Sequence, residues 1–395
     1  MENVIPLAKD IFWLGVNDHE TELFEAIWPL PEGISYNSYL IIDEKITLID
    51  TVKKSFVPEY LDKIKKAIGK RRIDYLIINH IEPDHSGAIK TLLELFPGMQ
   101  IVGNEKTAEF LKCFYGVDKN MLIVKDGEAL NLGAHRLKFF MTPMVHWPET
   151  MMTYDEKSKI IFSGDVFGGF GALEGGIFDD EARSSFFEKE TLRYFSNVIG
   201  KYSPMVQKAI ARLRTLDIHL VASTHGPVYK NNPSRIINLY DQWSRHQSEN
   251  GAVIVYGSMY GNTEKMAGAV TDAVLKENVK AVKVYNISKT NISFIIPDIW
   301  RLKALIVGAP TYNTRLFPLI EHLLNVIEND NISNHVLGIF GSYGWAGGGI
   351  NALKEFAQKG KWELIDPVIE VKCSPSDDDL AKCALLGRNI ARRLI

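Results

Sequence analysis

Apolar residues follow two rhythms along this chain, and the change between them falls near residue 250. Up to about Asp50 they alternate or gather in short runs, Ile11–Val16, Tyr36–Ile42 and Ile46–Ile49, and the charged turn Asp43-Glu44-Lys45 between the last two predicts a hairpin. Helical spacing over Pro58–Ile68 then precedes an apolar strand at Ile73–Ile78. Further strands are expected at Gln100–Val102, Met121–Val124, Arg136–Met141, Met151–Tyr154 and Lys159–Ser163. Helices are expected at Glu105–Phe114, Phe187–Ile199 and Val206–Leu213. Many short strands with interspersed helices predict a layered sheet domain.

Beyond the polar joint His246-Gln247-Ser248-Glu249-Asn250-Gly251 the pattern becomes regular. Strands at Ala252–Tyr256, Ala281–Tyr285, Ala304–Val307, Val336–Phe340 and Leu364–Val371 alternate with helices at Thr263–Leu275, Leu316–Ile327, Ile350–Ala357 and Asp377–Arg393. That alternation predicts a doubly wound parallel sheet. The expected division is therefore residues 1–248 and 249–395.

Composition narrows the function classes. With 46% hydrophobic and 24% charged residues the chain reads as globular throughout. Lys plus Arg number 45 against 48 Asp plus Glu, too even a balance for a nucleic-acid or polybasic membrane binder. No signal peptide is visible, and the longest uncharged stretch, Asn331–Leu353, is too rich in glycine to span a membrane. Cys113, Cys373 and Cys383 form no CxxC pair, which argues against a disulfide framework or a cysteine-held metal and for a reducing, cytoplasmic setting.

Chemistry concentrates after the run Leu76–Ile78, where Asn79-His80-Ile81-Glu82-Pro83-Asp84-His85-Ser86-Gly87 packs His80, Glu82, Asp84 and His85 into one strand-to-helix turn. His146, Asp165 and His225 each follow an apolar segment beside Gly or Pro. A single such residue is more often a turn or cap. Together they form a nitrogen and oxygen donor set without sulfur, suited to zinc, manganese or iron, and too large for one tetrahedral ion. Two metals are expected, with Asp165 as the bridge.

The spacing His-x-x-x-Asp-His, followed by separated His, Asp and His, resembles the metallo-β-lactamase superfamily. Glu82 stands where hydrolases of that group usually carry His; an added carboxylate makes the site harder and favours iron. In this the chain resembles the flavodiiron proteins, as do Phe24-Glu25-Ala26-Ile27-Trp28 and His146-Trp147-Pro148. The resemblance implies an αββα sandwich with one iron on His80, Glu82 and His146, the other on Asp84, His85 and His225, and Asp165 between them. In some members the counterpart of His85 swings away from the metal. The resemblance also implies that Tyr194 lies near the metal pocket as a hydrogen-bond donor, although a tyrosine packed on its helix is the commoner case. Gly168-Gly169-Phe170-Gly171-Ala172-Leu173-Glu174-Gly175-Gly176 is expected to be a flexible, exposed loop beside the pocket.

A second constellation follows the strand Ala252–Tyr256: Ser258, Met259, Tyr260, Gly261, Asn262 and Thr263 at a helix start, where free N–H groups suit a phosphate. Neither GxxxxGK[ST] nor GxGxxG is present, and Thr263 alone would pass for an ordinary helix cap. Two more loops at strand carboxyl ends tip the balance: Pro310, Thr311, Tyr312 and Asn313, then Ser342, Tyr343, Gly344, Trp345, Ala346 and Gly347. These three loops resemble the FMN site of flavodoxin-like domains.

The resemblance implies an enzyme with FMN and two non-haem irons, which together store the four electrons that turn dioxygen into water; nitric oxide is a second substrate. It implies a cytoplasmic oxygen reductase that protects an anaerobe, working as a head-to-tail homodimer or a dimer of dimers with Trp345 near the junction. The external electron donor is rubredoxin or a reduced deazaflavin coenzyme, and the residues do not choose between them. Two rivals remain open: a dinuclear metallo-hydrolase with an accessory flavodoxin module, and an electron-transfer protein with a structural metal. The basic cluster Lys63, Lys65, Lys66, Lys70, Arg71 and Arg72 reads as a helix end before it reads as a docking patch, and Asp377-Asp378-Asp379 as a helix start.

Overall fold

The computed structural model describes residues 4–181, 183–333 and 335–394. It divides into two compact units, Met1–Ser244 and Arg245–Ile395.

In the first unit, the hairpin expected around Asp43-Glu44-Lys45 pairs Tyr39–Ile41 antiparallel to Thr47–Ile49. It joins a seven-stranded sheet that runs Ile5–Ala8, Ile11–Trp13, Tyr39–Ile41, Thr47–Ile49, Tyr75–Ile77, Gln100–Gly103, Met121–Ile123. A five-stranded sheet runs Ala129–Asn131, Arg136–Met141, Met151–Asp155, Ile160–Gly164, Leu220–Ser223. Inward side chains of both sheets meet in one core: Tyr39, Ile49, Ile77 and Val102 from the first, Leu137, Phe139, Phe162 and Leu220 from the second. Helices flank the sandwich. In Val57–Ile68, Tyr60, Ile64 and Ile68 are buried at helical spacing behind Pro58 in the first turn.

The basic cluster behaves as a helix end. Lys63 is buried, donates to the Gly15 carbonyl at 2.6 Å and pairs with Glu59 at 2.8 Å. Arg71 donates to the Ile68 carbonyl at 3.1 Å. The helix expected over Phe187–Ile199 begins earlier, at Ser184, and widens into π-type turns over Phe195–Ile199. The widening keeps two successive aromatics buried, Tyr194 against His225 and Phe195 against Tyr240.

The second unit is a parallel sheet in the order Val282–Asn286, Glu249–Tyr256, Leu302–Tyr312, Val336–Tyr343, Glu363–Lys372. Counted within the unit this is 2-1-3-4-5, the flavodoxin-like order, whose switch point lies beside the first strand. Asn262–Lys276 and Asp377–Arg392 cover one face, with Met266, Val270 and Val274 packed alongside Cys383, Leu386 and Ile390. Ser376 caps the acidic start of the last helix by accepting from the Asp379 N–H. The fold is thus a metallo-β-lactamase-like αββα sandwich followed by a flavodoxin-like sheet.

Candidate metal and flavin sites

Every donor that sequence reasoning grouped comes from a strand end or the turn beside it. Tyr75–Ile77 runs into the turn carrying His80 and Glu82, and the short helix Pro83–Ser86 carries Asp84 and His85. Asp165 directly follows Ile160–Gly164, His225 follows Leu220–Ser223, and His146 lies between Arg136–Met141 and Met151–Asp155. Asn79 ties the two sheets together next to His80. Its N–H and side-chain amide donate to Asp50 at 2.8 and 3.1 Å, while its side-chain oxygen accepts from Thr153 at 2.7 Å. Burial pushes the Asp50 carboxyl up to about 6 despite those bonds.

The carboxylate of Asp165 has two faces. Its Oδ2 lies 3.1 Å from His146 Nε2 and 3.7 Å from His80 Nε2, and both imidazole nitrogens lie 3.2 Å from Glu82 Oε2. Its Oδ1 lies 3.3 Å from His85 Nε2 and 3.6 Å from His225 Nε2, and these stand 3.4 and 3.3 Å from the two oxygens of Asp84. Donors bound at about 2.0–2.2 Å to one ion at near right angles sit roughly 3–3.5 Å from each other, the spacing of three of the four separations on each face, the fourth being 3.7 Å on one and 3.6 Å on the other.

On the Asp84 face hydrogen bonding leaves the donor atoms free. Both oxygens of Asp84, His85 Nε2 and His225 Nε2 are buried without a hydrogen-bond partner. His225 Nδ1 donates to the Ser35 carbonyl at 2.8 Å and His80 Nδ1 to Glu149 at 2.5 Å, so in each neutral ring Nε2 carries the lone pair that points inward. Burial by itself would lower the imidazoles of His85 and His146, but the surrounding carboxylates outweigh it and raise both to about 9. Burial would likewise raise Asp165, yet His85, His146 and His80 hold it well below the usual carboxylate range. These groups demand positive charge, and the donor set fits two hard cations bridged by Asp165. Since the raised imidazoles must shed protons to bind, metal affinity should climb with pH between 7 and 9, by up to about tenfold per unit for each proton displaced. Chelator competition on metal-free protein at pH 7, 8 and 9 checks this; an affinity flat across that range would refute it.

Tyr194 is fully buried, its ring centroid 5.6 Å from that of His225, and its hydroxyl has no hydrogen-bond partner among the described residues. The glycine-rich loop departs from expectation in its first part, where Gly168–Leu173 is buried, while Glu174 and Gly175 are exposed as expected. Its glycines serve close approach. A Cβ on Gly169 would meet Thr191 Oγ1 at 2.7 Å, and one on Gly168 would press on Tyr194 and His225 at 3.3 and 3.5 Å. Sequence reasoning overlooked Glu149 and Asp50, whose roles appear only when distant segments meet, and gave Glu25 no role of its own.

In the second unit a 240 Å³ cavity lies at the carboxyl ends of the sheet, lined by Ser258, Met259, Tyr260, Asn262, Thr263, Pro310, Thr311, Ser342, Tyr343, Gly344 and Trp345. Cys373, which was not anticipated, joins them; Gly261, Tyr312, Asn313, Ala346 and Gly347 lie outside this lining. Thr263 is not the helix cap. Gly261 holds that position with no side-chain bond, while the Thr263 hydroxyl pairs with Ser342 at 3.0 Å and joins the first loop to the third. Ser258 Oγ accepts from the Gly261 and Glu264 N–H groups at 3.1 and 3.3 Å, and the remaining N–H groups of this helix start suit an anion such as the FMN phosphate. Around the cavity Trp345 (77%) and Tyr260 (90%) are largely exposed.

Comparison with known proteins finds relatives of both units. The family model described as ODP family beta lactamase matches residues 34–226, and the flavodoxin model matches residues 254–387. A nitric oxide reductase of Moorella thermoacetica is 33% identical, with 100% of both chains covered. The chain belongs to the flavodiiron protein family. Among solved structures, the rubredoxin oxygen:oxidoreductase of Desulfovibrio gigas superposes with a TM-score of 0.94 at 29% identity, covering 99% of this chain and 98% of that one. The flavodiiron protein of Giardia intestinalis does so at 0.95 and 28% identity, covering 100% of this chain and 97% of that one. This flavodiiron protein is accordingly an oxidoreductase whose cofactors are FMN and a non-haem diiron centre. No helix among its described residues is long and apolar enough to cross a membrane.

Proposed function

We propose that this protein reduces dioxygen to water, and nitric oxide to nitrous oxide, with electrons from an external donor passed through FMN. The reading is carried by the two-faced Asp165 carboxylate, which separates His80, Glu82 and His146 from Asp84, His85 and His225. Those residues hold the two irons, Asp165 bridges them, and the loops at Ser258–Thr263, Pro310–Asn313 and Ser342–Gly347 hold FMN. The irons supply two electrons and the flavin two more, the four that dioxygen needs. Glu149 and the Ser35 carbonyl orient the His80 and His225 rings. Tyr194 offers its free hydroxyl to the pocket as a hydrogen-bond donor.

The relatives' names support both gases: one is a nitric oxide reductase and another a rubredoxin oxygen:oxidoreductase. The donor is rubredoxin or a reduced deazaflavin coenzyme, and the enzyme works in the cytoplasm of an anaerobe. Exposed apolar residues surround both sites, Leu23 (43%) and Ile27 (56%) by the metal pocket and Met259 (43%) and Tyr312 (45%) by the flavin loops. They favour a head-to-tail homodimer, or a dimer of dimers, in which one subunit's flavin serves its partner's irons.

Stopped-flow oxidation of the fully reduced protein tests the reaction: water should account for the dioxygen consumed, and hydrogen peroxide as the main product would refute it. Glu82→His separates the reading from a hydrolase. Trading a carboxylate for an imidazole should move occupancy from iron towards zinc and suppress gas reduction. Unchanged iron content and rate would count against the assigned ligands.

A further inference from the structure

The segment Leu23–Pro29 folds over the metal pocket as a small hairpin, with Leu23–Phe24 paired to Trp28–Pro29. Phe24 anchors it, its ring centroid lying 5.6 Å from His225, 5.9 Å from Tyr194 and 5.5 Å from Phe170. The next two residues take left-handed backbone angles, φ 49° at Glu25 and 59° at Ala26. This conformation is uncommon for residues other than glycine, and here it lays the Glu25 side chain against the pocket. One donor atom each from Glu25, Glu82 and His146 lie within 4.8 Å of one another.

We propose that Glu25 is a labile carboxylate ligand of the iron held by His80, Glu82 and His146, an inference that rests on the diiron reading above. No hydrogen bond or ion pair holds its carboxylate among the described residues. Its nearest ligating neighbours are the carboxylate of Glu82 and the imidazole of His146, and the carboxylates of Asp165 and Asp84 lie in the same pocket with their own imidazole partners. Those imidazoles are already matched to Glu82, Asp84 and Asp165, which leaves the Glu25 carboxylate as an added donor with no partner of its own beside Glu82 and His146. Glu82 and His146 are buried, at 9% and 6% exposure, whereas Glu25 as a residue is exposed. A ligand on an exposed hairpin tip can leave and return without disturbing the buried donors. Glu25 adds a donor on one face of Asp165 only, so the two irons differ in how many positions they leave for a gas.

Near-infrared magnetic circular dichroism of the fully reduced protein under argon reads ferrous coordination number without turnover. In Glu25→Gln and Glu25→Ala one of the two ferrous ions should lose one ligand, with two irons per chain retained. Glu22→Gln, an exposed neighbour on the same hairpin, should match wild type. Crystals of the reduced wild type should show a Glu25 oxygen within bonding distance of that iron. Spectra identical to wild type in both Glu25 variants would overturn the proposal. Loss of an iron from either would overturn the lability, making Glu25 a structural ligand. A wild-type protein without two irons would instead refute the diiron reading itself, before any variant is made.

Discussion

Asp165→Asn is expected to leave a folded flavoprotein that no longer holds a diiron pair and no longer reduces either gas. The side chain is fully buried, and each of its oxygens faces a different set of imidazoles: Oδ2 at 3.1 Å from His146, Oδ1 at 3.3 Å from His85. An amide keeps the shape but replaces one oxygen with an N–H₂ group, which cannot bind a metal. Its remaining oxygen serves one ion or the other. The charge also disappears, leaving imidazoles that were raised to about 9 with one carboxylate fewer to balance them. Losing a partner that merely orients a ligand costs about 10–100-fold in metal affinity, and removing the bridge should exceed that. Iron analysis should fall from two to one or fewer per chain, while FMN absorbance, set by the other unit, stays at its wild-type value. Two irons per chain with wild-type turnover would mean that Asp165 is not the bridge.

How far the chain could be read depended on how local each signal was. The flavodoxin-like unit was legible strand by strand: its three central strands carry continuous apolar runs, as buried parallel strands do, and Leu302–Tyr312 merely extends beyond the expected Ala304–Val307. The helix Pro233–Ser244 was overlooked although its signals are present. Asn232 accepts from the Arg235 N–H at 3.1 Å, Pro233 follows, and Ile236, Ile237, Tyr240 and Trp243 recur at helical spacing. Ile296–Arg301 has only 6 residues, too few for a period to show. The donors of the metal pocket stood out because His80, Glu82, Asp84 and His85 crowd one turn. Their supports did not, because a lone acid carries no periodicity: Glu149 meets His80 across 69 residues, and Asp50 meets Asn79 across 29. The burial of Gly168–Leu173 was hidden for a related reason. A run of glycines reads as a loose loop until the helix side chains that fill its missing Cβ positions, Thr191 and Tyr194, are in place.

Of those supports Glu149 should matter most. Its Oε1 takes the His80 Nδ1–H at 2.5 Å and the Ile81 N–H at 3.1 Å, fixing both the ring and the turn that carries it. Burial would raise this carboxyl, but His80 and the Ile81 amide more than offset that and hold it below the usual range. A charged acceptor on Nδ1 keeps the proton there, leaves Nε2 free and makes the ring a stronger donor to the metal. Glu149→Gln keeps the size and leaves an amide oxygen that can still accept from Nδ1 and from the Ile81 N–H, but it removes the charge, so the ring becomes a weaker donor to the metal. Iron affinity on the His80 side of Asp165 should fall by about 10–100-fold, with the second iron retained. Chelator titration followed by Mössbauer spectroscopy would show one subsite emptying first, and Glu149→Asp should restore part of the affinity by returning the charge. If both irons in Glu149→Gln resist the chelator as they do in wild type, the carboxylate has no hold on the metal and His80 must be oriented by the packing of Trp147, whose ring centroid lies 5.2 Å away.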